Sequence, residues 1–217
     1  MIKKTRLIFF FLFLLSGICL PAAEDIDSLQ RLVLHAQNDS IRQEVLLKLA
    51  VEIQDSYTEK AVDYAERALD IAKSKKDKNK AAFIYTRIGR IETIAGNFQK
   101  AIHAYKNALG YYIGYSEKHP ADHSNLRSMA QAHIGLGRVY QLMGETETAL
   151  NNFTKAEKIY ENLKDKRGIA SSLIEKGNTF RNQLNYEAAR DVYLEALTQG
   201  ANKISPSQKA DIYNKIA

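Results

Sequence analysis

The chain has 217 residues, with 31 Lys and Arg against 25 Asp and Glu, a formal charge of +6, and a single cysteine. Lys3, Lys4 and Arg6 lie in an apolar leading segment, and without them 28 basic residues face 25 acidic ones, a balance of +3. So even a balance excludes the concentrated basic face of a nucleic-acid binder. The lone Cys19 excludes a disulfide framework, a thiolate metal site and a catalytic thiol from everything after it.

The first element is the leader, residues 1–23. A basic start, MIKKTR, is followed by an uncharged apolar run from Leu7 to Leu20 and then by PAAED. These are the parts of a secretory signal peptide, and the run is shorter than the roughly 20 residues of a spanning helix. The expectation is export to the periplasmic or extracytoplasmic side of a bacterial membrane, with cleavage after Ala22 or Ala23; the alternative is an uncleaved membrane anchor. A lipoprotein signal would place a small residue before its cysteine, and Ile18 stands there, so Cys19 belongs to the discarded segment.

Residues 24–39 form a short capping helix, with Leu29, Leu32, Val33 and Ala36 on one face. Residues 40–78 make a first, degenerate helix pair. Ser40 with Gln43 three residues on has the pattern of a capping box. Leu47, Leu49 and Ala50 mark the first helix, and Ala61, Ala65 and Ala68 the second. Three further units follow: 79–121, 122–166 and 167–204.

Five columns align these three units without a gap, at spacings of 48 and 40 residues. They are Gly89, Gly137 and Gly177; Phe98, Thr146 and Tyr186; Ala101, Ala149 and Ala189; Tyr105, Phe153 and Tyr193; and Ala108, Ala156 and Ala196. Small residues on facing helices let two axes approach, and the ring fills the space beside them. One such hairpin cannot bury its apolar face, whereas a stack of them can. The fold class expected is all-α, a solenoid of antiparallel helix pairs. Ser205 followed by Pro206 reads as an N-cap and first helical residue, with Tyr213 and Ile216 continuing the apolar face. Stepping 40 residues on from Gly177 lands on Ala217, so 205–217 is the first helix of an incomplete fifth unit, and the expectation is a longer protein.

The small–ring–small columns resemble the tetratricopeptide repeat, over most of the chain after the leader. The usual unit has 34 residues, so longer helices or loops are implied. The frequent late proline is missing, Thr146 replaces a ring, and Lys176 stands where a leucine is usual. The resemblance implies a right-handed superhelix whose first helices line a concave groove for peptides or extended protein segments. By position that groove receives Thr86, Arg90 and Thr93 in the second unit, Ile134, Arg138 and Gln141 in the third, and Ile174, Asn178 and Arg181 in the fourth. Arg90 and Arg138 share a column, and Arg181 lies a turn further along its own helix. Guanidiniums pair bidentately with carboxylates, which points to an acidic partner; the alternative is that they are soluble, helix-favouring residues. The family's carboxylate clamp would put a lysine and an asparagine where Thr86 and Arg90 stand, so that clamp is not implied.

Signatures of chemistry are missing from the sequence. It has no Gly-rich phosphate loop, zincin helix or serine elbow. His119 and His123 flank Pro120 and Asp122 in what reads as the long inter-unit loop rather than a metal site. His133 occupies a packing position, and His103 lies on an outer face. The run KSKKDKNK, Lys73 to Lys80, falls at a unit junction and reads as a solvated loop. No catalytic residue, cofactor or metal is expected, and no nucleic acid. Export, repeats and an open end together resemble the sensor region of bacterial membrane-bound signalling proteins. There a captured peptide or protein changes curvature or homodimerisation, and the membrane is reached only through a signal anchor or a downstream helix. The alternatives are a free-standing periplasmic scaffold and an accessory domain of an enzyme.

Overall fold

The computed structural model describes residues 26–119, 125–200 and 203–216. The leader with Cys19, the Pro120–Asp122 segment and His123 lie outside the described residues. Ten helices run through them: α1 (Ile26–Leu34), α2 (Asp39–Ile53), α3 (Thr58–Ser74), α4 (Lys78–Ile94), α5 (Phe98–Lys118), α6 (Leu126–Leu142), α7 (Thr146–Asn162), α8 (Lys166–Asn182), α9 (Tyr186–Gly200) and α10 (Pro206–Ile216). Each helix packs most closely on its neighbours in sequence, while α4 also meets α6 and α6 meets α8. This is a solenoid of helix pairs, with α4, α6 and α8 side by side along one wall.

The turns repeat one local solution. A residue with positive φ follows the helix, and the next amide closes the turn by reaching back to the carbonyl of the fifth residue before it. Gly96 (φ 75°) and Gly144 (φ 78°) serve α4–α5 and α6–α7, while Leu184 (φ 62°) fills the same column in α8–α9. Asn97, Glu145 and Asn185 then donate to the carbonyls of Glu92, Tyr140 and Phe180 at 2.8–3.0 Å. These bonds satisfy carbonyls that a helix end leaves open. Lys76 and Lys164 do the same work between units. Side chains cap the other ends: Asp77 accepts from the Lys80 amide and Asp165 from that of Gly168. The hydroxyl of Ser205 accepts from the Gln208 amide while the Gln208 side chain accepts from that of Ser205, a reciprocal cap before Pro206.

Two local expectations are corrected. The cap of α2 is Asn38, which accepts from the Ile41 amide at 3.0 Å, and not Ser40. Gln43 is buried and donates to the Ala68 carbonyl at 2.8 Å, so it ties α2 to α3 instead of closing a box. On α10 the apolar face runs through Ile212, 0% exposed, while Tyr213 is 59% exposed. One residue of shift on a helix turns a side chain by about 100°.

Packing follows the columns. The six column alanines and the three rings are buried. A Cβ built on Gly137 would meet Phe153 at 2.5 Å, one on Gly177 would meet Tyr193 at 2.5 Å, and one on Gly89 would meet Tyr105 at 3.0 Å. Each glycine is thus small because the ring of its own hairpin lies on it. Lys176, in the usual leucine position, forms an ion pair with Glu157 of α7. The buried residues divide into four clusters strung along the chain rather than one centre.

Candidate functional site

A depression of about 600 Å³ opens on the wall formed by α4 and α6. Five of the six groove positions expected on these helices line it: Thr86, Arg90, Thr93, Ile134 and Arg138. The sixth, Gln141, donates instead to the hydroxyl of Thr179 at 2.8 Å. The three positions on α8 stand apart from it. Ile174 packs against the last core cluster, Asn178 accepts from the Tyr193 hydroxyl at 2.8 Å, and Arg181 is exposed.

The surface has further contributors. Its buried aromatic side comes from Tyr105 and Tyr112 on α5 and Tyr160 on α7. Phe83 and Arg87 on α4 and Gln131 and Gly135 on α6 lie one turn before the expected positions, and Ser128 lies about two turns before Ile134. Helical spacing from Arg90 would have found Arg87; Gly135 lies off every column and carries no repeat signal. Through Gln131, Tyr160 and Ser171 the depression is continuous with a second hollow of about 510 Å³, which reaches Arg127 and Arg167.

Its electrostatics are one-sided. Arg87, half-buried over the Phe83 ring at 5.0 Å, has a lowered pKa, first because of burial and then because of the Arg90 charge. Arg138 behaves oppositely. Burial pulls its pKa down, but the hydrogen bond and charge of Glu175 on α8 outweigh that and leave it raised. Its Nε and Nη2 reach Glu175 Oε1 at 3.0 and 2.5 Å. One of the two column arginines is therefore already paired within the protein. Arg127 of α6 is likewise held by Asp165, the cap of α8, at 2.9 Å. Burial raises the pKa of Tyr105 above the ordinary phenol value, against the pull of Thr93, Arg138 and Arg90.

His133 is buried, with Nδ1 3.1 Å from Asn152 Oδ1, and His103 is exposed. Among the described residues no group of three or more His, Cys, Asp or Glu is placed to hold a metal ion. No helix among them is long and apolar enough to cross a membrane.

Residues 128–199 match the tetratricopeptide repeat. A search among curated proteins gives no match. Among solved structures, BtubC from P. vanneervenii is similar at 20% identity and TM-score 0.70, over 88% of this chain and 77% of its own. A signal transduction ATPase with a tetratricopeptide repeat sensor, from Pyrococcus horikoshii, is similar at 17% identity and TM-score 0.71, over 88% of this chain and 29% of its own. A Rap protein complexed with competence and sporulation factor is similar at 18% identity and TM-score 0.67, over 81% of this chain and 48% of its own. At these identities the likeness establishes the fold.

Proposed function

We propose that this chain, whose residues 128–199 match the tetratricopeptide repeat, is a protein-interaction domain serving as the non-catalytic, extracytoplasmic input domain of a signalling protein. In this role the concave wall of α4, α6 and α8 captures an extended peptide or protein segment with acidic residues. One observation carries the proposal: the depression on α4 and α6 brings Arg87, Arg90 and Arg138 to an aromatic surface and runs on toward Arg127 and Arg167. Such a surface offers apolar area for affinity and fixed cations for register. The leader, basic and then apolar, supports export. Similarity to a signal transduction ATPase with a repeat sensor, and to a Rap protein bound to a factor, supports an input role for the fold.

The test has two arms. Alkaline phosphatase fused after Ala217 is active when exported, and deleting residues 1–23 abolishes that activity; equal activity without the leader removes the extracytoplasmic assignment. The purified chain captures acidic members of an extended-peptide library in preference to basic ones. Arg90→Glu with Arg138→Glu reduces that capture about tenfold or more at unchanged helicity. Capture that is undiminished removes the groove.

A further inference from the structure

The near-even charge balance of the whole chain hides where its charges stand. Successive helices run antiparallel, so the junctions between units lie on one edge of the solenoid and the hairpin tips on the other. A helix of 17 residues, at about 1.5 Å per residue, holds the two edges about 25 Å apart. Contacts between junctions trace the first edge. Lys75 donates to the Ser40 hydroxyl at 2.9 Å, Asn125 to the Asn79 side chain at 3.0 Å, and Arg127 is held by Asp165 at 2.9 Å.

That junction edge is basic. Residues 73–80 hold five lysines and one acid, Asp77. Residues 163–167 hold Lys164, Lys166 and Arg167 against Asp165, and residues 203–209 hold Lys203 and Lys209 and no acid. Lys118 ends α5 beside Glu117. Asp77 and Asp165 are spent as helix caps, and Asp165 also holds Arg127. Lys78, Lys118, Lys166 and Lys203, one from each junction, are exposed and make no ion pair among the described residues. Two hollows gather the cations. One of about 330 Å³ is lined by Lys73, Lys76 and Lys78, and one of about 390 Å³ brings Lys203 of the last junction to Lys164, Lys166 and Arg167. The tips are the reverse: residues 54–59, 95–99, 143–147 and 183–187 carry Asp55, Glu59, Glu145, Glu147 and Glu187 and no lysine or arginine.

Resting on the extracytoplasmic placement above, we propose that the junction edge docks on a bilayer of anionic phospholipid, with the helices upright on the surface and the concave wall left open. A row of cations along one edge matches an extended sheet of phosphates, and anionic lipid attracts basic segments in this way. Lysine suits such a surface. Its ammonium is a point charge on a flexible stem, whereas a fixed oxyanion site favours the arginine fork. Nucleic acid fits less well, since these cations stand on turns and helix ends rather than along a helix that could enter a groove. No Phe, Tyr or Trp stands among residues 73–80, 163–167 or 203–209 to stack on a base. The tips of a second copy also fit less well, because they offer one or two acids each and residues 95–99 none.

The chain without residues 1–23 keeps all ten helices and lacks the apolar leader, so its binding reports on the edge. It should sediment with vesicles of phosphatidylcholine containing about one-third phosphatidylglycerol, and not with phosphatidylcholine alone. Binding should weaken as salt shortens the Debye length from about 10 Å at 0.1 M to about 3 Å at 1 M. Lys78→Glu, Lys118→Glu, Lys166→Glu and Lys203→Glu combined should weaken it about tenfold or more at unchanged helicity. Lys60→Glu, Lys100→Glu, Lys106→Glu and Lys155→Glu combined, an equal charge change away from the junctions, should weaken it far less. Equal binding to neutral vesicles, equal loss in the two combined variants, or tighter binding to a DNA duplex overturns the proposal. So does a lipid-free chain that self-associates through the four junction lysines and ignores vesicles, which would make the tips of a second copy the occupant. The phosphatase fusion reads export separately. A leader-dependent fusion without vesicle binding removes the edge alone; vesicle binding with a fusion indifferent to the leader keeps the edge and removes the extracytoplasmic placement.

Discussion

Gly137 and Phe153 show how little freedom a column residue has. The ring is fully buried and lies 2.5 Å from where a Cβ on Gly137 would stand. Gly137→Ala should therefore cost about 1–3 kcal/mol through overpacking and lower the thermal midpoint, while Gly89→Ala, whose nearest contacts are at 3.0 Å, should cost less. Equal midpoints for the two variants would show that the Phe153 ring moves aside freely. His133 gives a pH signature. Burial lowers its pKa, the Asn152 hydrogen bond raises it, and the charge of Lys155 lowers it, with a net depression. The unfolded chain, with a His pKa of about 6.5, then takes up the proton first as pH falls. Stability present above that pH is lost as pH drops through the folded value. Urea midpoints at pH 7.5 and 5.5 should converge in His133→Gln relative to wild type; identical pH losses in both would remove His133 as a contributor.

At the scale of the element, the five turns share one backbone conformation but not one residue. Leu184, 71% exposed, holds φ 62° where Gly96 and Gly144 hold the same column. A left-handed non-glycine residue costs roughly 1–2 kcal/mol, so Leu184→Gly should stabilise by about 0.5–1 kcal/mol after the added freedom of the unfolded chain is discounted. Chemical denaturation measures it, and a lower midpoint would show that the leucine side chain holds the turn. The columns were legible in the sequence because glycine, alanine and ring contact one another inside each hairpin and must keep their spacing. The caps were legible only in part. Ser40 and Gln43 match a pattern that Asn38 satisfies in fact, because Gln43 finds a better partner in the Ala68 carbonyl once the helices meet. Gly135 was not legible, since its reason is Tyr105 from the preceding hairpin. Nor were the partners of Arg138 and Gln141, which lie 37 and 38 residues away.

Across the whole molecule, four core clusters in a row make stability a sum of neighbouring terms rather than the property of one centre. The polar ties along that row are uneven. The third and fourth units are laced by Arg138 to Glu175, Gln141 to Thr179 and Lys176 to Glu157, and Arg127 of α6 holds the Asp165 cap of α8. Between the second and third, the described side chains supply one neutral pair, Asn125 with Asn79 at 3.0 Å. Spin labels at exposed Lys106, Lys155 and Glu195 should give a broader distance distribution across the first junction than across the second; equal widths would show that backbone packing alone sets stiffness. A coil spring bends most where its turns are least tied. Gly135 supplies no side chain to tie the second unit to the third, whereas Glu175 in the equivalent place ties the third to the fourth, so the third and fourth units should travel together as one arm.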